Sequence, residues 1–293
     1  MLAAVPMPSD MGIIDLMMAL PITDPEQTYG FLKKGSRDQA SRQEFRFPAE
    51  YMFKDVPDAR GQDADPVAVT LAEMDRWGVE RSMMGLATDD TKRAFAEHPD
   101  RFIPSLHVDP NGGMETVRQI ARAHEEHGIK AVTSFPAGTF PQVAINDKRY
   151  YPIYAKCVEL GLPIFINAGV PGPRVPMHCQ HVEHLDEVCW FFPELTVVTM
   201  HGCEPWEDLA VKLMLKWPNL HYATSAFAPK YYPEAVIRYA NTRGADKILY
   251  AGYFPMGLTL ERIMTEMRDV PFRDHVWPKF LRENAIRVLK LDA

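Results

Sequence analysis

The sequence predicts an α/β chain folded as a (β/α)8 TIM barrel, and three observations carry that prediction. Eight short apolar runs occur along 293 residues, and a segment of helical periodicity precedes each of the last seven. The runs are continuous rather than alternating, as expected for parallel strands covered on both faces. No linker, internal repeat or low-complexity tract divides the chain, so residues 1–293 read as one domain. A doubly wound open sheet is the alternative arrangement.

The elements follow in order. GIIDLMMAL (12–20) is the first strand. Residues 21–65 then show little periodicity, with many charges and scattered Pro and Gly, and so read as an irregular excursion. A stretch of that length inside a compact domain is often functional. Alternation resumes with a helix over 66–78 and a strand over 80–87, then a helix over 90–98 and a strand over 101–108. In the helix over 112–128, Met114, Val117, Ile120 and Ala121 fall at helical spacing, and a strand follows over 129–135. The remaining strands are 162–169, 195–202, 220–226 and 246–253. Helices over 181–192, from Pro205 and near 233–243 separate them, and two more close the chain.

Composition narrows the function classes. The chain is 46% hydrophobic and 24% charged, ordinary for a globular domain, and lacks an apolar run long enough for a membrane span. With 32 basic and 39 acidic residues the net charge is −7, which argues against nucleic acid or an anionic membrane as partner. Cys157, Cys179, Cys189 and Cys203 form no CxxC pair and read as reduced thiols. The N-terminus has neither a basic region nor an unbroken apolar core of a leader, so a cytoplasmic location is expected.

In a TIM barrel the chemistry sits at the strand C-termini. Those positions hold Asp15, Met17 and Ala19, then His107, Phe135, Asn167, His201, Ser225 and Tyr253. Four phrases around them carry a resemblance: NAGVPGPR (167–174), HGCEPW (201–206), DKILYAGYFP (246–255) and ENAIRVLKL (283–291). In this order and spacing the chain resembles the amidohydrolase superfamily over residues 12–291. Within it, the similarity is to the amidohydrolase-related branch that includes the aminocarboxymuconate-semialdehyde decarboxylases.

The resemblance implies a metal site that these residues would not build. The family places Asp-x-His-x-His on strand one, where this chain reads Asp15-Leu16-Met17-Met18-Ala19. The strand-five histidine corresponds to Asn167 and the strand-eight aspartate to Tyr253, leaving His201 of strand six. No histidine precedes His98, so no shift of register restores the first pair. A thioether and a methyl cannot replace imidazole donors, and no metal is expected at the usual centre.

Other groups carry two readings each. His178, His181 and His184 are spaced i, i+3, i+6; on a helix they share a face that could bind zinc or another divalent cation, or they belong to a solvated loop. Glu204 is a candidate acid or base, or a carboxylate complementing a helix N-terminus. Arg174 and Lys230 could hold a substrate carboxylate, or pair with acidic side chains. Cys203 reads foremost as a small buried thiol, Asp15 as a residue that shapes the strand.

Three functions remain open. The resemblance implies, first, a subunit of a hetero-oligomer whose homologous, metal-bearing partner does the chemistry. The branch includes such pairs, among them dinuclear Mn/Fe monooxygenases that hydroxylate small carboxylic acids such as isobutyrate. The excursion, with Tyr29, Phe31, Arg42, Phe45, Arg46, Phe47 and Tyr51, has the composition of an interface. The second is a stand-alone, metal-independent hydrolase or decarboxylase, with His201 as base and Tyr253, Asn167 and Arg174 orienting substrate. The third is a small-molecule binding barrel without turnover.

Overall fold

A computed structural model describes residues 7–292 except 9, 23, 44–46, 54, 55 and 58–63. Its centre is one parallel sheet of eight strands in sequential order. They are β1 (Ile13–Asp15), β2 (Val79–Gly85), β3 (Phe102–His107), β4 (Ala131–Ser134), β5 (Ile164–Asn167), β6 (Val197–Met200), β7 (Leu220–Ala223) and β8 (Ile248–Leu249). The first and last strands meet through Leu16 N–H, which donates to Tyr250 O at 3.3 Å.

The helices between them are α1 (Pro66–Trp77), α2 (Asp89–Glu97), α3 (Met114–His127), α4 (Tyr151–Leu160), α5 (His184–Phe191), α6 (Glu207–Lys216) and α7 (Glu234–Tyr239), and α8 (Leu260–Met267) follows the last strand. The caps explain several boundaries. Asp65 accepts from Val67 N–H at 3.2 Å ahead of Pro66, and Gly78 ends α1 in the left-handed region at φ 72°. Thr88 and Thr91 cap α2 reciprocally. None of the helices among the described residues is long and apolar enough to cross a membrane.

Two cores result from the strand period of two. Ile14, Met83, Ile103, Phe165, Val198 and Leu249 fill the barrel interior. The terminal helix α9 (Asn284–Leu289) closes its lower end, with Ala285, Val288 and Leu289 packed into the same cluster. The intervening residues of each strand face the helices in a larger outer core.

Three expectations need correction. The segment expected to be helical from 181 is irregular at its start: 178–180 form a single 3-10 turn, His181 is extended (ψ 130°), and α5 begins only at His184. Strand one is three residues long, because the chain turns away after Asp15 as Met17 N–H bonds back to that side chain at 2.9 Å. The excursion contains two short helices, Pro25–Tyr29 and Gln39–Gln43, and two 3-10 turns, Gly30–Lys34 and Glu50–Met52.

Candidate active site at the barrel mouth

Alternation along the strands decides which side chains reach the mouth. Counting in twos from inward-facing Ile103, Phe165, Ala223 and Leu249 places His107, Asn167, Ser225 and Tyr253 at the upper rim. His201 arrives differently. It follows β6 in the left-handed region at φ 64°, and Gly202 (φ 85°) and Cys203 (φ 59°) continue the turn. A non-glycine residue held there costs energy, and such residues cluster at functional sites. Gly202 is required at its position, since a Cβ would lie 2.2 Å from the ring of Phe227.

Ser225 fixes the histidine. Its Oγ lies 3.0 Å from the His201 main-chain nitrogen and 3.0 Å from Nδ1. Burial lowers the imidazole pKa to about 4, so the ring is neutral at physiological pH. The ring of Tyr253 meets it edge-on with centroids 5.4 Å apart. Across the mouth His107 Nδ1 lies 3.3 Å from Thr133 Oγ1. His107 is open to the mouth yet surrounded by protein, and desolvation lowers its pKa as well. The side chains of Asn167 and Tyr253 form no hydrogen bond with any described residue.

The excursion folds over this mouth. Phe53 stacks on Tyr253 at 5.8 Å, and Phe47 meets both, Tyr253 at 5.9 Å and Phe53 at 5.4 Å. Tyr29 packs behind Phe47 at 6.0 Å. Phe47 and Tyr29 are thus turned toward the barrel, while Phe31 and Tyr51 stay exposed. Arg42 donates to Ser36 O at 3.0 Å, and Phe45 and Arg46 lie outside the described residues. Phe47, from the set whose composition suggested an interface, and Phe53 together cover Tyr253 as a lid.

The remaining candidates stand apart from His201. Arg174 pairs with Asp38 at 3.2 Å and lies over the Tyr51 ring at 4.4 Å, while Tyr51 Oη donates to Gly172 O at 2.7 Å. It fastens the lid to the loop after β5. Lys230 pairs with Glu266 at 3.6 Å and lies over the ring of Tyr231. Glu204 is exposed, its carboxyl pKa raised by partial burial and then by Glu207, and its carbonyl accepts from Val170 N–H at 2.8 Å. Cys203 is fully buried in the outer core, and burial pushes its thiol up to about 12.

The three histidines of the loop before α5 are neighbours without converging on one point. The His178 and His181 rings lie 5.5 and 6.1 Å from that of His184. His184 Nε2 sits 3.0 Å from the carbonyl of His178, His181 Nδ1 accepts from Glu183 N–H, and the His181 ring packs on Trp206. Among the described residues no group of three or more His, Cys, Asp or Glu side chains is arranged to hold a metal ion.

An amidohydrolase sequence profile matches residues 17–291. The chain belongs to the amidohydrolase family. No curated protein matches this family member in sequence. Among solved structures, an uncharacterized TIM-barrel protein from Bordetella bronchiseptica is 24% identical, with 96% of this chain and 99% of that one covered at a TM-score of 0.76. The 5-carboxyvanillate decarboxylase of Novosphingobium aromaticivorans, complexed with manganese and a nitrobenzoic acid, is 17% identical; coverage is 99% and 100% and the TM-score 0.68. A dihydroxybenzoic acid decarboxylase from a Polaromonas species, with bound manganese and 2-nitroresorcinol, is 16% identical; coverage is 96% and 98% and the TM-score 0.64. At these identities the likeness establishes the barrel fold.

Nothing in the sequence assigns a site role to Ser225, Thr133 or Phe53, and Phe47 carries only the composition of an interface. Ser225 carried a usable signal, an inward strand-end position on the strand beside His201. The two phenylalanines carried none, because the contacts that define them lie about two hundred positions away in sequence, at Tyr253.

Proposed function

We propose that this amidohydrolase-family chain has lost the metal centre and works as the metal-poor subunit of a hetero-oligomer, beside a homologous chain that carries the chemistry. The observation behind this reading is the isolation of His201: its neighbours are the Ser225 hydroxyl and the Tyr253 ring, and among the described residues no group of three or more His, Cys, Asp or Glu is arranged to hold a metal ion. A divalent cation of this kind needs several nitrogen or oxygen donors converging on one point. Met17, Ala19, Asn167 and Tyr253 offer a thioether, a methyl, an amide and a phenol, a set that does not fit the ion, and no step is routed through one. The barrel itself is intact from β1 to β8. In this reading the partner holds a dinuclear Mn/Fe centre and the pair oxidises a small carboxylic acid. Native mass spectrometry with elemental analysis of protein purified from its own host tests it. A complex with a homologous chain and metal assigned to that chain is the expected result; a monomer or homomer that turns over substrate unaided overturns it.

A second reading rests on the His201 ring and the Tyr253 hydroxyl sharing one covered mouth, and on the decarboxylase activities named for the similar barrels. In it the chain alone is a metal-independent hydrolase or decarboxylase. Loss of 5-carboxyvanillate or 2,6-dihydroxybenzoate catalysed by the single chain in the presence of chelator supports this reading over the first.

A further inference from the structure

The hydrogen bonds at Ser225 favour one of the two neutral forms of His201. Ser225 Oγ accepts the His201 main-chain N–H at 3.0 Å and keeps its own hydrogen to give. Two acceptors lie in reach, His201 Nδ1 at 3.0 Å and Met200 Sδ at 3.8 Å. An Nδ1–H could use the second lone pair of Oγ only by sending the hydroxyl hydrogen to the sulfur; a thioether at 3.8 Å is much the weaker acceptor, which favours giving that hydrogen to Nδ1. In a neutral imidazole one nitrogen accepts and the other donates, so the ring proton sits on Nε2. No described residue bonds to Nε2.

We propose that His201 is a hydrogen-bond donor into the barrel mouth, held as its Nε2–H tautomer by Ser225, for an uncharged ligand with an apolar body and an oxygen acceptor. Met17 and the rings of Phe53 and Tyr253 provide apolar walls. The Asn167 amide and Tyr253 hydroxyl, free of described partners, supply further polar ends without charge. The two cations considered for a carboxylate, Arg174 and Lys230, are bonded elsewhere. The assignment runs against His201 acting as a base through Nε2, because a hydrogen occupies the lone-pair position such a base would use. It is independent of assembly, since every group involved belongs to this chain.

The test uses the full chain labelled with 15N-histidine. Long-range proton–nitrogen correlation at pH 7, with His201 identified by its disappearance in His201→Asn, is expected to give the Nε2-protonated pattern. Ser225→Thr, which keeps the hydroxyl, should retain that pattern, and Ser225→Ala should lose it to a mixture. An Nδ1-protonated ring in the wild type overturns the donor assignment, and a pattern unchanged in Ser225→Ala overturns the hold by Ser225. Should Ser225→Ala fail to fold, the wild-type and Ser225→Thr spectra still decide. For the ligand, acetophenone is compared with α-methylstyrene, its near-isostere without the oxygen. The ketone should bind the wild type roughly 3- to 10-fold more tightly, the worth of one neutral hydrogen bond. Equal affinity, or no binding of the ketone, overturns the ligand assignment. Finding or not finding a metal-bearing partner changes neither result, so this inference and the heteromer reading fail separately.

Discussion

Asp15 bonds to Gly252 across the seam of the barrel. Its Oδ1 accepts the Gly252 N–H at 2.8 Å and the Met17 N–H at 2.9 Å, so one carboxyl oxygen joins the ends of the first and last strands. The group is fully buried, and a Cβ at Gly252 would lie 2.4 Å from Oδ2. Asp15 therefore shapes the site from behind, with its side chain outside the mouth.

That burial makes the seam sensitive to pH. Desolvation raises the Asp15 pKa from 3.8 to about 6, against the opposing backbone hydrogen bonds of Gly252 and Met17. The folded state then holds the proton more tightly than the unfolded chain, so this group's stabilising contribution is present below pH 4 and is lost as pH rises to about 6. Asp15→Asn keeps an oxygen acceptor for both N–H groups and cannot ionise. Its stability relative to wild type should rise across that window by up to roughly 3 kcal/mol, at about 1.36 kcal/mol per pKa unit, and level off above it. Urea unfolding at a series of pH values measures the difference; a difference that does not change with pH rejects the assignment.

The left-handed turn at His201 gives a second prediction. Asn tolerates φ near 64°, whereas a β-branched residue does not. His201→Asn should stay within about 1 kcal/mol of wild type, and His201→Val should lose about 1–3 kcal/mol more from backbone strain. Equal unfolding midpoints for the two variants would mean that the turn relaxes.

How much of this was legible beforehand depended on the range of the contacts. Strands such as 162–169 and 195–202 announced themselves through unbroken Val, Ile and Leu runs, and the inward positions followed from a period of two. Asn167 and Tyr253 follow from that count as rim positions, whereas His201 does not, because it leaves β6 through a left-handed turn. For Arg174 the sequence leaves a substrate carboxylate and an acidic side chain as alternatives; it pairs with Asp38, a partner no periodicity identifies because it lies in the excursion more than a hundred residues away. The histidine spacing of 178, 181 and 184 imitated a helix, but His181 is extended and breaks it.

Tyr253 separates packing from polarity. Its ring contacts His201, Phe47 and Phe53, while its hydroxyl bonds to no described residue. Tyr253→Phe should leave stability within about 0.5 kcal/mol of wild type, and Tyr253→Ala should cost about 3–5 kcal/mol through the cavity beneath the lid. If catalysis or ligand binding falls in Tyr253→Phe with stability unchanged, the hydroxyl acts on the ligand; if neither changes, the residue serves the lid alone.

The lid gives the last prediction. Its outer edge is held by exposed contacts: Arg174 to Asp38 at 3.2 Å, Arg174 over Tyr51 at 4.4 Å, and Tyr51 Oη to Gly172 O at 2.7 Å. Its inner edge is held by Phe47 and Phe53 on Tyr253. Exposed ion pairs and cation–π contacts are each worth about 1 kcal/mol or less, whereas aromatic burial is worth more. Releasing the outer edge alone should therefore loosen the lid without unfolding the barrel. Arg174→Ala should lower global stability by no more than about 1 kcal/mol. Hydrogen exchange over 47–53 should accelerate several-fold, since local opening is governed by the contacts that edge loses. Exchange in β5 and β6 should be unaffected, because neither strand depends on the clamp. Raising the salt concentration should produce a weaker version of the same change in the wild type by screening the Asp38 pair, and little further change in the variant. Equal exchange over 47–53 in both proteins would show that the inner aromatic contacts hold the lid unaided; faster exchange throughout the barrel would show that the clamp belongs to the global fold.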